Sequence, residues 1–175
     1  IRGQMPTPYY DANDGFASYL FVNRENKTFE DKTEEAGLAP KRFRRTFSNS
    51  FVDLDEDGDL DLLVVSDFSG VDLYLNDGHG RFTDVTDHLV DNRTLFGMSH
   101  TFGDYNLDGK MDMYVVGMSS TTARRLDHLG LGRKEFPEHT KMRKEMGYGN
   151  RMYQTVRELV ADAAGSEGAL AGRVS

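Results

Sequence analysis

The chain has 175 residues, enough for one domain with a buried core, and its 29% charged and 38% apolar residues are an ordinary soluble composition. A net charge of −8 argues against nucleic acid as a partner, and no run is long enough for membrane insertion. There is no cysteine, which removes disulfide and thiolate chemistry and leaves the question of export open.

In chain order, Tyr9, Tyr10, Phe16 and Tyr19 come first, surrounding Asp11, Asn13 and Asp14. Such a loop suits carbohydrate or protein recognition, and its plainer reading is an ordinary surface loop. Residues 18–33 then read as strand, turn, strand, and residues 71–86 repeat them at an offset of 53: Asn23 aligns with Asn76, Phe29 with Phe82, Asp31 with Asp84 and Thr33 with Thr86. Both copies are hairpins.

A second repeat is interleaved with the first. Asp53-Leu54-Asp55-Glu56-Asp57-Gly58-Asp59-Leu60-Asp61 recurs 51 residues later as Asp104-Tyr105-Asn106-Leu107-Asp108-Gly109-Lys110-Met111-Asp112. Side-chain oxygens stand at positions one, three, five and nine of both, with glycine at position six. Alternate residues of a tight loop point to one side, and the glycine permits the turn that brings the position-seven carbonyl and the position-nine carboxylate to the same point. An oxygen-only, carboxylate-rich set suits a hard cation of high coordination number, calcium before magnesium. An EF-hand is excluded, because position twelve is Val64 or Val115 rather than Glu, and apolar β-branched runs follow where a helix should. The alternative is a solvated acidic turn without metal, against which stands the mutual repulsion of the clustered acids. Nine of the 29 acids lie in the two loops, so two bound calcium ions would halve the excess charge.

These pieces assemble into one unit: strand A at 46–52, acidic loop, strand B at 61–66, strand C at 71–75, turn at 76–80 and strand D at 81–86. Four consecutive antiparallel strands in about 50 residues are the pattern of a propeller blade. The fold class is all-β, a partial β-propeller of four-stranded antiparallel blades. Residues 1–153 would hold a blade remnant (1–38), a full blade (46–88) and a third blade from 98, with a possible strand C at 150–154. About two and a half blades do not close a ring, so the chain is expected to be a piece of a longer protein.

A helical insertion at about 119–147, in the segment 118–149, interrupts the third blade, with short helices at 119–129 and 137–146. Pro137 suits a first turn and Gly147 a C-terminal stop. Met142, Met146 and Phe136 give a narrow apolar stripe. After Tyr153 the pattern ends: Thr155 stands where Asn76 stood, and 154–175 is an atypical tail, read as a short helix with disorder or as a foreign terminus.

Phe102-Gly103-Asp104-Tyr105-Asn106-Leu107-Asp108-Gly109-Lys110-Met111-Asp112-Met113 resembles the FG-GAP repeat of the integrin α-subunit propeller. The stretch from Leu73 to Thr86 resembles the matching half of bacterial VCBS/FG-GAP repeats. Thr33-Glu34-Glu35-Ala36-Gly37-Leu38 is similar to the blade-ending phrase of those proteins, including the ones carrying an ASPIC/UnbV module. The resemblance covers about residues 10–117 and resumes at 149–153; Phe51-Val52 departs from Phe-Gly. It implies a propeller of about seven blades, calcium in the A–B loops, and an extracellular, periplasmic or cell-surface place. In the family, ligands come from positions one, three, five, seven and nine. Here these are Asp53, Asp55, Asp57, Asp59 and Asp61, then Asp104, Asn106, Asp108, Lys110 and Asp112. Position seven gives a backbone carbonyl, so Lys110 is tolerable. The second loop, with fewer acids, is expected to be the weaker of two calcium sites.

No phosphate loop, GxSxG or HExxH is present, and His79, His88, His100, His128 and His139 have no metal-ligand spacing. The segment is therefore read as non-catalytic. Two functions compete: a calcium-stabilised extracellular binding or adhesion module for a protein or glycan ligand, and the scaffold of an exported polysaccharide-active enzyme whose active site lies elsewhere. In either, the connections 6–18, 36–46, 88–98 and 118–149 share the end opposite the acidic loops, and with Arg44, Arg45, Arg93, Arg124 and Arg125 they form the expected ligand face.

Overall fold

The structure, a computed structural model, describes residue 6 and residues 9–132 and 134–155. Strands β1 (Phe21–Arg24) and β2 (Thr28–Asp31) form a hairpin. They are followed by a four-stranded sheet of β3 (Arg45–Val52), β4 (Asp61–Asp67), β5 (Gly70–Asn76) and β6 (Phe82–Asp84). After the one-turn helix α1 (Thr86–Leu89) comes a three-stranded sheet of β7 (Gly97–Gly103), β8 (Asp112–Gly117) and β9 (Arg151–Tyr153). Helices α2 (Thr121–His128) and α3 (Pro137–Gly147) are inserted between β8 and β9. All pairs are antiparallel and sequence neighbours are spatial neighbours, with no crossover. This is a partial all-β propeller, with strands C–D, then A–B–C–D, then A–B–C of successive blades.

The middle blade is apolar on both faces, which explains why β4 reads Leu62-Leu63-Val64-Val65 instead of alternating. Leu63 pairs with Leu73 and Val65 with Val71, and these four face the third blade's Met113, Val115 and Tyr153. Leu62 and Tyr74, on the other face, pack with Phe82, Ala36 and Leu20 of the first blade's side. Each fully buried aliphatic or aromatic side chain contributes about 1.5–3 kcal/mol, so stacking of blade on blade is what holds the segment. The innermost strands β3 and β7 also touch, through a 2.7 Å hydrogen bond between Ser50 Oγ and His100 Nε2. His100 is thus a polar residue joining two blades, and burial lowers its pKa.

The repeated Asp-x-Thr at the end of each hairpin has a physical role. Thr33 Oγ1 accepts the Leu20 amide and Thr86 Oγ1 accepts the Leu73 amide, both at 2.9 Å. Each threonine amide in turn donates to the aspartate two residues back, Asp31 or Asp84. This draws Thr86 out of line, so strand D stops at Asp84 rather than at the expected residue 86, and the chain turns into α1. Gly147 is the last residue of α3, one beyond the expected limit of 146, and a Cβ there would come 2.7 Å from the Ala123 Cβ. The glycine lets α2 and α3 approach closely, and Met146 beside it is fully buried. Residues 156–175, most of the expected tail, lie outside the described residues, as do 1–5, 7 and 8 of the blade remnant.

Candidate metal centre

Both acidic loops connect strand A to strand B of their blades, as expected from their flanking strands. Their backbones follow one plan. Position six is left-handed, with φ of 94° at Gly58 and 87° at Gly109. The Gly58 amide donates to Asp53 Oδ2 at 3.1 Å, and the Gly109 amide to Asp104 Oδ2 at 2.8 Å. The amides of Asp59 and Lys110 both donate back to position five, Asp57 and Asp108, at 2.9 Å. Position four is also left-handed in both, at Glu56 (φ 62°) and Leu107 (φ 60°). Neither is a residue type that favours that region, where side chains cost roughly 1–2 kcal/mol.

At position nine, Asp61 and Asp112 are buried at the mouth of strand B. Asp61 accepts the amides of Leu54 (2.8 Å) and Asn76 (2.9 Å) on its two oxygens. Asp112 accepts those of Tyr105 (3.3 Å) and Thr155 (2.8 Å) in the same arrangement.

The loops part company in their charge. In the first, carboxylate oxygens of Asp53, Asp55 and Asp61 lie within 4.8 Å of one another. Asp53 Oδ1 is buried with no hydrogen-bond partner among the described residues. Among the described residues the ion pairs lie elsewhere, on Asp11, Asp14, Asp72, Asp84, Asp87, Asp127 and the glutamates near β2. Burial, then the charges of Asp61 and Asp57, push the Asp55 carboxyl up to about 6. Burial also raises Asp61, against the pull of the amides of Asn76 and Leu54. Converging carboxylates with an orphaned buried oxygen are a donor set of the hard, oxygen-only kind that suits a divalent cation such as calcium. Asp57, exposed, and Asp59, half-buried, stand outside the group of three.

In the second loop the matching positions one, three and nine hold Asp104, Asn106 and Asp112, two carboxylates and an amide in place of three carboxylates. Asn106 Nδ2 donates to Asp108 Oδ2 at 2.8 Å, and this hydrogen bond is the first cause of a lowered Asp108 pKa. The Lys110 amide takes part in the pattern, and its charge adds to the lowering of Asp108.

At the opposite end the expected loops do meet, but several residues assigned to a ligand are committed to the fold. Arg44 is only 4% exposed and pairs with Asp11 and with buried Asp72. Arg93 pairs with Asp11 and Asp87, and Arg45 with Asp14. Asn13 donates to the Pro40 carbonyl. Buried Asp72 takes Lys41 and Arg44 together, and these pairs span long stretches of sequence that local reading cannot join. His139 of α3 packs edge-on to Tyr10 and stacks on Phe136, while Tyr9, Phe68 and Phe96 continue the row of rings. The insertion thus packs against the first blade's loop as well as its own blade. Phe16, Tyr19, Phe136, Arg124 and Arg125 remain exposed there.

No helix among the described residues is long and apolar enough to cross a membrane. No curated protein matches the chain. Residues 53–115, from the first position of one acidic loop through the second loop and into β8, match the family model of the FG-GAP-like repeat. This stretch of the chain is therefore an FG-GAP-like repeat.

Proposed function

We propose that this chain is a calcium-binding segment of a β-propeller that works outside the cell as a binding or adhesion module. One observation carries the proposal: three aspartate oxygens converge within 4.8 Å, and Asp53 Oδ1 is buried without a partner. Calcium would be held by Asp53, Asp55, Asp57, Asp61 and the Asp59 carbonyl in the first loop. In the second it would be held by Asp104, Asn106, Asp108, Asp112 and the Lys110 carbonyl. The ion would neutralise the carboxylates and fix the A–B turn, holding one end of each blade. Residues 9–155 act as one blade stack, in which the metal serves structure and recognition belongs to the other end. Extracellular or periplasmic residence follows from the chemistry, since millimolar calcium fills such sites and cytosolic calcium does not. The FG-GAP-like match supports a surface or exported protein and an interaction role.

The partner, protein or glycan, is assigned to the face of loops 9–18, 36–46, 88–98 and the insertion. Its available groups are the exposed aromatics and Arg124 and Arg125, because Arg44, Arg45 and Arg93 are engaged in ion pairs. Calorimetric titration of calcium into the chelator-treated chain tests the metal. The expected result is two sites, the first tighter, with dissociation constants of roughly 10⁻⁴–10⁻³ M or somewhat below, and weaker binding of magnesium. No binding at millimolar calcium contradicts the proposal. For the face, a glycan panel is screened with the intact chain and with a variant whose 119–147 is a short Gly-Ser turn. Unchanged binding by that variant removes the insertion from the recognition site.

A further inference from the structure

Each acidic loop is closed from outside by one residue at the end of strand C. Asn76 Nδ2 donates to the Leu60 carbonyl at 3.1 Å while the Asn76 amide donates to Asp61 Oδ1. Seventy-nine residues later, Thr155 Oγ1 donates to the Met111 carbonyl at 2.7 Å while the Thr155 amide donates to Asp112 Oδ1. Leu60 and Met111 both occupy loop position eight, and Asp61 and Asp112 position nine. Two residues with different side chains therefore make the same pair of contacts, one from the backbone amide and one from the side chain, on the same two atoms of the loop.

From this recurrence we infer that Asn76 and Thr155 are positioning residues for calcium. Each fixes the plane of the position-nine carboxylate and the direction of the neighbouring backbone, without touching the ion. The inference rests on the calcium reading of the loops. Its physical content is simple. A carboxylate held by two amide donors on its two oxygens cannot rotate, so its remaining lone pairs are aimed before the metal arrives. The side-chain arm pins the peptide between positions eight and nine, which carries that carboxylate. Asn76 has a third contact, accepting the Gly80 amide at 3.0 Å, so the same side chain also shapes the C–D turn. The change from Asn to Thr at the third blade, which in sequence looks like loss of the repeat, preserves the closure: a hydroxyl donor on a shorter arm reaches the same carbonyl. Outer-shell partners of metal ligands of this kind typically contribute 10–100-fold in metal affinity.

The test measures calcium affinity by calorimetry and melting in excess chelator for the full chain and three variants. Asn76→Ala loses the carbonyl arm and is expected to weaken the first site about 10-fold or more, with a smaller effect on the calcium-free melt than on the calcium-loaded one. Asn76→Thr is expected to restore most of the affinity, because Thr155 shows that threonine suffices. Thr155→Val, nearly isosteric, is expected to weaken the second site alone, and it decides the matter if Asn76→Ala does not fold. Wild-type affinity in Asn76→Ala or in Thr155→Val overturns the inference. So does a calcium-free melt that falls as far as the calcium-loaded one, which marks a purely structural contact. A wild-type chain that binds no calcium overturns the metal reading itself, a result distinct from a wild type that binds and variants that bind equally well.

Discussion

At position three the first acidic loop carries Asp55 and the second Asn106, and the consequences run through each loop. Asn106 donates to Asp108 and lowers its pKa, so the second loop satisfies part of its own charge. Asp55 has no proton to donate when ionised. It faces Asp61 and Asp57 and titrates near 6, and Asp53 keeps a buried oxygen without a partner. Yet the two backbones share the left-handed residues at positions four and six, the amide bonds to positions one and five, and the two amides on position nine. The conformation of such a loop is thus set by positions one, five, six and nine, and its unbalanced charge by position three.

The largest effect is expected from giving the first loop the second loop's chemistry. Asp55→Asn should lower calcium affinity at that site about 100-fold, since affinity in oxygen-ligand sites follows ligand charge, while raising the melting midpoint of the calcium-free chain. Calorimetry and a melt in chelator measure both. An unchanged affinity would place the cation elsewhere. The reverse change, Asn106→Asp, should tighten the second site about 10-fold and lower the calcium-free midpoint by removing the Asn106–Asp108 bond.

pH should separate the loops as well. The Asp55 carboxyl is raised from 3.8 to about 6 in the calcium-free fold. Its proton stabilises that fold fully below about pH 4, and the contribution is lost as pH rises through about 6. The calcium-free midpoint should therefore fall across that window and flatten in Asp55→Asn. Added calcium competes with the proton, so its stabilisation should be larger at pH 7 than at pH 5. Asp108 is shifted the other way, and its stabilisation is present above its ordinary value and lost only in stronger acid. The smallest effect concerns position four. Leu107 is exposed and left-handed, and Asn tolerates that region, so Leu107→Asn should raise stability by a few tenths to about 1 kcal/mol. Denaturant unfolding measures it.

Much of this was legible because it is local. Alternation in β3, the apolar runs of β4 and β8, the glycine at loop position six and the paired hairpins are each written within ten residues, and the strands lie within one or two residues of their expected limits. What escaped is what depends on distant partners. Arg44 and Arg93 look like surface cations until Asp11 and Asp72 are brought beside them. Gly147 ends α3, but its sequence gives no sign that Ala123 packs against it. His139 gives no sign of meeting Tyr10. In the acidic loops the spacing named the ten candidate positions, yet it could not show that Asp53, Asp55 and Asp61, at positions one, three and nine, converge. In the second loop the amide of Asn106 stands at position three, which reads in sequence as a conservative change.

The central claim is that the first loop is built around a cation, and thermal melting of the full chain in excess chelator and in millimolar calcium tests it most directly. A ligand that binds only the folded state stabilises it by about 2.7 kcal/mol at 100 times its dissociation constant. The account predicts a midpoint that climbs with calcium and saturates, returns with chelator, and loses most of its response in Asp55→Asn. A midpoint identical in chelator and in calcium would contradict it.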